Sequence, residues 1–240
     1  FSVNEGSPYA VFTVTGVAGQ LATLSLANGT STGLSGLQYY DASANGGSGG
    51  WVSYTSGTVA LASNGTLLVR TSLTPEQETA IDNGETFTLT ATNTGGTGAV
   101  GTATIKDDGT GNYYAATNTT GTSSVPGGVV LDDDRTLSVN SFSVNEGSPY
   151  AVFTVTGVAG QLATLSLANG TSTGLSGLQY YDASANGGSG GWVSYTSGTV
   201  ALDANGTLLV RTSLTPEQET AIDNGETFTL TATNTGGTGA

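Results

Sequence analysis

Residues 1–16, FSVNEGSPYAVFTVTG, return unchanged at residues 142–157. From these two starting points the chain runs in step at an offset of 141 residues. Residues 1–99 and 142–240 differ only at Ala62, replaced by Asp203, and Ser63, replaced by Ala204. A period of this length decides the architecture before any single element is read. Shared core packing would preserve apolar positions, but the copies also agree at every exposed-looking Thr, Ser and Asn. That pattern points to recent tandem duplication, and the chain reads as a window on a longer array.

Within one copy the apolar residues alternate as strands require. In Tyr9–Thr15, Ala10, Phe12 and Val14 take one face while Val11 and Thr13 take the other. Further strands are expected at Phe1–Val3, Leu21–Leu26, Gly36–Tyr40 and Thr66–Thr71, with a hairpin from Trp51–Tyr54 to Thr58–Leu61. The cleanest alternation is Glu85–Ala91, with Phe87, Leu89 and Ala91 inward, and Val100–Lys106 closes the domain on Ala103 and Ile105. Ser43–Gly50 is a glycine-rich surface loop. Thr74-Pro75-Glu76-Gln77 carries N-cap, first-turn proline and capping-box signals, so one short helical turn to about Ile81 is expected in each unit. Many short strands, frequent turn signals and almost no helix specify an all-β chain of tandem immunoglobulin-like antiparallel sandwiches.

The expected domains are repeat 1 at residues 1–108, a connector and lead-in strand at 109–141, and repeat 2 at 142–240. Leu137 and Val139 share a phase that Phe142 and Val144 do not, which predicts a bulge at Asn140-Ser141 where the strand changes faces. Repeat 2 has no counterpart of Val100–Asp108 in the sequence, so an open edge is expected there.

Composition excludes several function classes. The 240 residues hold no His and no Cys, which removes the usual general base, thiol chemistry and the commonest zinc and copper ligands. Four basic against 18 acidic residues give a net charge of −14, which opposes binding to nucleic acid or to an anionic membrane. No apolar run suits a membrane-spanning helix, and Phe1 opens no signal peptide. No carboxylate pair is singled out for catalysis, and a non-enzymatic role is expected. The acidic residues cluster near strand ends, where they either hold a cation or solvate the surface. Asp132-Asp133-Asp134 reads as a solvated linker, with an interdomain calcium as the lesser alternative.

Three motifs in order carry a resemblance. Val3-Asn4-Glu5-Gly6 before a Phe-Thr-Val strand, then Asp82-Asn83-Gly84-Glu85-Thr86-Phe87, then Ala103-Thr104-Ile105-Lys106-Asp107-Asp108, resemble the Calx-beta repeat. The likeness is strongest to the Calx-beta-like repeats of giant secreted bacterial adhesins. It implies an immunoglobulin-like sandwich with Ca²⁺ held by loops at one end. The positions that match ligand-bearing places are Glu5, Glu78, Asp82, Asp107 and Asp108, with Glu85 as an addition, and Glu146, Glu219 and Asp223 in repeat 2. All are oxygen donors, the kind that Ca²⁺ takes.

The function this implies is a structural extension repeat of a long, calcium-stiffened extracellular adhesin, stalk or filament on a bacterial surface. Its partners would be neighbouring repeats and other copies in a filament. Two rivals stand beside it. One is a surface module in which Tyr39, Tyr40, Trp51 and the loop at 43–50 contact a glycan or partner; the aromatics also suit plain packing. The other is a self-assembling filament subunit completed by a neighbour's strand. Asn28, Asn64 and Asn118 head Asn-x-Thr sequons, which are also ordinary turn chemistry.

Overall fold

The computed structural model describes residues 1–73, 83–122, 130–215, 225–237 and 239–240. The chain divides into two compact units, Phe1–Asp132 and Asp133–Ala240. In unit 1 the strands are β1 (Ser2–Asn4), β2 (Tyr9–Thr15), β3 (Leu21–Ala27), β4 (Ser35–Asp41), β5 (Gly50–Tyr54), β6 (Val59–Ala60), β7 (Thr66–Ser72), β8 (Thr86–Asn93) and β9 (Gly98–Lys106). They form two sheets, β1-β9-β8-β3-β6 and β2-β7-β4-β5. All pairings are antiparallel except β1 with β9, which run parallel.

The inward faces close the sandwich as the alternation requires. Phe87, Leu89, Ala91, Ala103 and Ile105 are all buried, and Phe12 stacks edge-on between Phe1 at 5.0 Å and Phe87 at 5.7 Å. Edge-to-face rings add to the hydrophobic term of their burial. Trp51–Tyr54 and Thr58–Leu61 do not form the expected hairpin. β5 pairs with β4 in one sheet and β6 pairs with β3 in the other. Tyr54 sits where the chain changes sheets, and its hydroxyl donates to Gly57 O and accepts from Leu24 N. The real hairpin is β4–β5, joined through the glycine-rich loop. That loop holds a short turn, α1 (Ala44–Gly47), whose Asn45 and Gly46 lie in the left-handed region at φ 54° and 71°. The helical turn expected at 74–81 lies outside the described residues.

Residues 109–122 are not a passive connector. Asn112 adds to the outer edge of β1, bridging Val3 in parallel, and Tyr113 pairs with Thr122. Tyr114 is buried in the unit 1 core, and Ala116 O accepts a hydrogen bond from Arg70 at 2.7 Å. The segment thereby reaches the face of the four-stranded sheet that carries Val11 and Arg70. Val11, on that face, is 6% exposed, whereas its copy Val152 in unit 2 is 41% exposed.

Unit 2 contains β10 (Ser138–Val139), β11 (Tyr150–Thr156), β12 (Leu162–Ala168), β13 (Leu175–Asp182), α2 (Ala185–Gly188), β14 (Gly191–Tyr195), β15 (Val200–Ala201), β16 (Thr207–Leu214) and β17 (Thr229–Thr233). Its sheets are β10-β11-β16-β13-β14 and β15-β12-β17. β10 lies on the edge of β11 with Leu137 buried, and Asn140 then closes the pairing: its N donates to Thr154 O and its Oδ1 accepts from Thr154 N. Beyond Asn140 the chain leaves that sheet. Phe142 packs on Phe153 at 5.0 Å, as Phe1 packs on Phe12. In unit 1 the residues that follow this Phe join the opposite sheet as β1. At the predicted change of faces, Asn140-Ser141, the chain leaves the sheet altogether.

Candidate functional site

The parallel pairing of β1 with β9 brings the two outer sequence motifs together. Asn4 is the register partner of Lys106, and Glu5 N donates to Lys106 O at 3.0 Å. Glu5 and Asp107 therefore follow on adjacent strand ends, 4% and 1% exposed. Asn83 caps the same end by accepting a hydrogen bond from Asp107 N at 3.0 Å on its side-chain oxygen. Asp108 turns outward, and its Oδ1 accepts from Thr110 N and Thr110 Oγ1. Glu85 is half-buried one residue before β8.

Asn4 organises this end. It is fully buried, and its Nδ2 donates to Thr110 O and Asp132 O at 3.0 Å each and more distantly to Lys106 O. Its Oδ1 accepts from Gly6 N at 3.1 Å and Asp132 N at 3.0 Å. One side chain thus ties together β1, the end of β9, the turn after it and the lead-in at Asp132. Gly111 makes that closeness possible. It lies at φ 89°, and a methyl there would fall 2.6 Å from Asn4 N.

The donors at this end match calcium in kind: carboxylates and carbonyl oxygens, without nitrogen or sulfur ligands. Among the described residues no group of three or more acidic, His or Cys side chains is assembled to hold a metal. Glu78 and Asp82, which would enlarge the set, lie outside the described residues, as do Glu219 and Asp223. In unit 2, Glu146 is exposed, and Asn145 beside it holds only the local turn through Gly147 N.

Two other acidic readings resolve differently. The Asp triplet is not solvated: Asp133 and Asp134 are 4% and 2% exposed. Asp133 forms a two-pronged ion pair with Arg135, at 2.8 Å from Nε to Oδ1 and 2.6 Å from Nη2 to Oδ2, within unit 2. The two positions that distinguish the repeats act on one turn. In unit 1, Asn64 Oδ1 accepts from Thr66 N and Oγ1. In unit 2, Asp203 takes over Thr207 N, Thr207 Oγ1 and Asn205 N. The backbone hydrogen bond from Thr207, followed by its hydroxyl, holds the Asp203 carboxyl below the usual carboxylate range.

The aromatic candidates are packing residues around a cation. Arg70 lies 3.9 Å from the Tyr9 ring centre and 4.4 Å from that of Trp51, and its Nε donates to Gln38 Oε1. Tyr40 meets Trp51 edge-on at 5.5 Å, and Tyr39 packs partly into the core. Arg211 repeats the arrangement between Tyr150 and Trp192. Burial lowers the Arg70 pKa, yet the rings and bonds keep the guanidinium in place. Sequence reasoning missed both Asn4 and Arg70. An Arg within the apolar run Thr66–Thr71, opposite two aromatic strands, was the available signal.

No protein-family model matches the chain, and no curated protein matches it. Among solved structures it is similar to the Pseudomonas aeruginosa CupB2 chaperone, at 10% identity and a TM-score of 0.28, covering 98% of this chain and 96% of that one. It is also similar to a 1.5-MDa bacterial ice-binding adhesin, at 16% identity and a TM-score of 0.31, with 100% of this chain and 57% of that one covered. A Ca²⁺-stabilized adhesin of an Antarctic bacterium that binds ice matches at 14% identity and a TM-score of 0.30, over 96% of this chain and 44% of that one. The chain thus spans about half the length of these two adhesin chains. Likeness at such scores carries no functional argument, so function must be read from the chain's own residues.

Proposed function

We propose that the chain is an extension segment of a long extracellular adhesin, stalk or filament on a bacterial surface, without enzymatic activity. Sandwich units in series hold a distant part of the protein away from the cell, and calcium stiffens the end of unit 1. The observation that carries the reading is the near-identity of two sandwich sequences in series, including their exposed positions. Recent tandem duplication preserves exposed and buried positions alike, and adding a whole unit in series lengthens an array.

The calcium part of the reading is supported by the burial of Glu5 and Asp107 on neighbouring strand ends. Ca²⁺ would take Glu5, Asp107 and Asp108 as oxygen ligands, with Glu78 and Asp82 completing the set. The chain's own residues do the positioning. Asn4 and Asn83 hold the two strand ends in place. Adjacent repeats are the expected partners.

The test is a thermal melt of the whole chain in millimolar Ca²⁺ and again in chelator. Trp192→Phe leaves Trp51 as the reporter of unit 1. An ion that binds only the folded state at about 100 times its dissociation constant adds about 2.7 kcal/mol. For a unit of this size that raises Tm by about 10 °C. Glu5→Gln should abolish the rise. Superimposable melts would remove calcium from the account and leave the extension role standing.

A further inference from the structure

We infer that Asn205 is a site of spontaneous modification, at which the side-chain amide is lost through a succinimide formed with the following glycine, and that its copy Asn64 is protected from the same chemistry. The inference is independent of calcium and of the extension role. Asn-Gly occurs four times in each repeat. The pair at 64–65 and 205–206 is the one that follows directly on the two exchanged positions, Ala62/Asp203 and Ser63/Ala204.

The reaction needs a backbone nitrogen without a side chain in the way, access to water, and a carboxamide free to turn toward that nitrogen. The first two are shared by the copies. Gly65 and Gly206 bring no Cβ to hinder attack and lie at φ 76° and 72°. Gly65 N donates to Ala62 O at 2.8 Å, and Gly206 N to Asp203 O at 3.0 Å. Asn64 and Asn205 are both exposed. The third requirement separates them. Asn64 Oδ1 accepts from Thr66 N at 3.0 Å and from Thr66 Oγ1 at 2.8 Å, which pins its carboxamide toward β7. In unit 2 both donors go to Asp203 instead, Thr207 N to Oδ1 at 2.8 Å and Thr207 Oγ1 to Oδ2 at 2.9 Å. An ionised carboxylate is the stronger acceptor, so it displaces the amide from the turn. The contact left to the Asn205 side chain is the last and smallest of those that lower the Asp203 carboxyl.

The chemistry balances without an oxidant or cofactor. Gly206 N attacks Asn205 Cγ, the N–Cγ bond forms and the Cγ–Nδ2 bond breaks. The amide hydrogen of Gly206 leaves with Nδ2 as ammonia. Water then opens the five-membered imide at either carbonyl, giving aspartate or isoaspartate at position 205. Either product sets a second carboxylate beside Asp203. Isoaspartate also lengthens the main chain by one methylene, in a turn that Gly206 O anchors by accepting from Gly157 N at 2.9 Å.

The test ages the intact 240-residue chain in warm, mildly alkaline buffer and follows conversion of amide to acid by peptide mass spectrometry. Peptides spanning residues 62–67 and 203–208 differ at the exchanged positions, so the two sites are read separately in one sample. Asn205 should convert about 10-fold faster than Asn64, the factor expected when two ordinary hydrogen bonds are replaced by one weak contact. Two double variants move the turn between units. Asp203→Ala with Ala204→Ser should slow Asn205 to the rate of Asn64, and Ala62→Asp with Ser63→Ala should raise Asn64 to the rate of Asn205. Each installs a turn that the chain already carries in its other copy, so folding does not confound the comparison. Equal rates at the two sites, faster conversion at Asn64, or rates that do not follow the exchanged residues would overturn the inference.

Discussion

Replacing Asn4 by Ala should destabilise unit 1 by about 3–4 kcal/mol, while Asn145→Ala in unit 2 should cost less than about 1 kcal/mol. The two residues are copies of one another, so the contrast isolates environment from sequence. Asn4 is fully buried and makes four contacts of 3.0–3.1 Å, with Thr110 O, Asp132 O, Gly6 N and Asp132 N. Its 3.3 Å contact with Lys106 O shares a hydrogen and adds little. A side chain–backbone bond is worth about 1 kcal/mol net, and a buried group stripped of its partner costs about 1–3 kcal/mol. Gly6 is exposed and regains water, which keeps the sum near the lower figure. Asn145 is exposed and accepts only from Gly147 N at 2.9 Å. The assay is urea denaturation by tryptophan fluorescence, with Trp192→Phe for unit 1 and Trp51→Phe for unit 2. At a slope of about 1.5–2 kcal/mol/M the Asn4 variant should lose roughly 2 M in its midpoint. Equal losses in the two units, or a loss below about 1 kcal/mol at Asn4, would refute the claim that this amide ties the strand ends together.

Arg70→Met should cost unit 1 about 2–3 kcal/mol from two ring contacts and two hydrogen bonds, whereas Arg211→Met should cost about 1 kcal/mol less because among the described residues Arg211 makes the Gln179 bond but no counterpart of the bond to Ala116 O. Equal losses in the same denaturation assay would contradict this. The lowered carboxyl pKa of Asp203 makes its turn pH-dependent. A depressed folded-state value contributes stability above the unfolded value and loses it as pH falls through the folded one. The difference in unit 2 stability between wild type and Asp203→Asn should therefore shrink on acidification below the usual carboxylate range. A difference that stays constant or grows would show that the charge is irrelevant to the turn.

Much of the strand pattern was legible because burial on one face imposes period two. Tyr9–Thr15 has the bounds that alternation gives it, and the inward positions of β8 and β9 are the expected ones. The β5–β6 pairing was misread for a physical reason. Two short apolar runs with a turn between them look alike whether they pair together or pass between sheets, and only tertiary contact decides. The packing of residues 109–122 was not legible because Gly, Thr and Ser signal a loop, while that packing depends on Tyr114 and on one carbonyl reaching Arg70. At the candidate site, Glu5 and Asp107 were legible as acidic residues near strand ends. Their adjacency depends on the parallel pairing of β1 with β9 across more than 100 residues, which no local pattern reveals. The role of Asn4 was not legible, because an Asn before Glu-Gly carries no local sign that it will be sealed inside. The Asp triplet read as solvated because its ion pair depends on Arg135 folding back onto it.

Whether the buried carboxylates at the ends of β1 and β9 hold calcium is decided by a calorimetric Ca²⁺ titration of the metal-stripped chain, repeated on Glu5→Gln and Asp107→Asn. Saturable binding by the wild-type chain is expected, and both substitutions should abolish it while far-ultraviolet circular dichroism still shows folded β structure. Absence of binding at millimolar Ca²⁺, or binding that survives both substitutions, would contradict the calcium-stiffened end of unit 1.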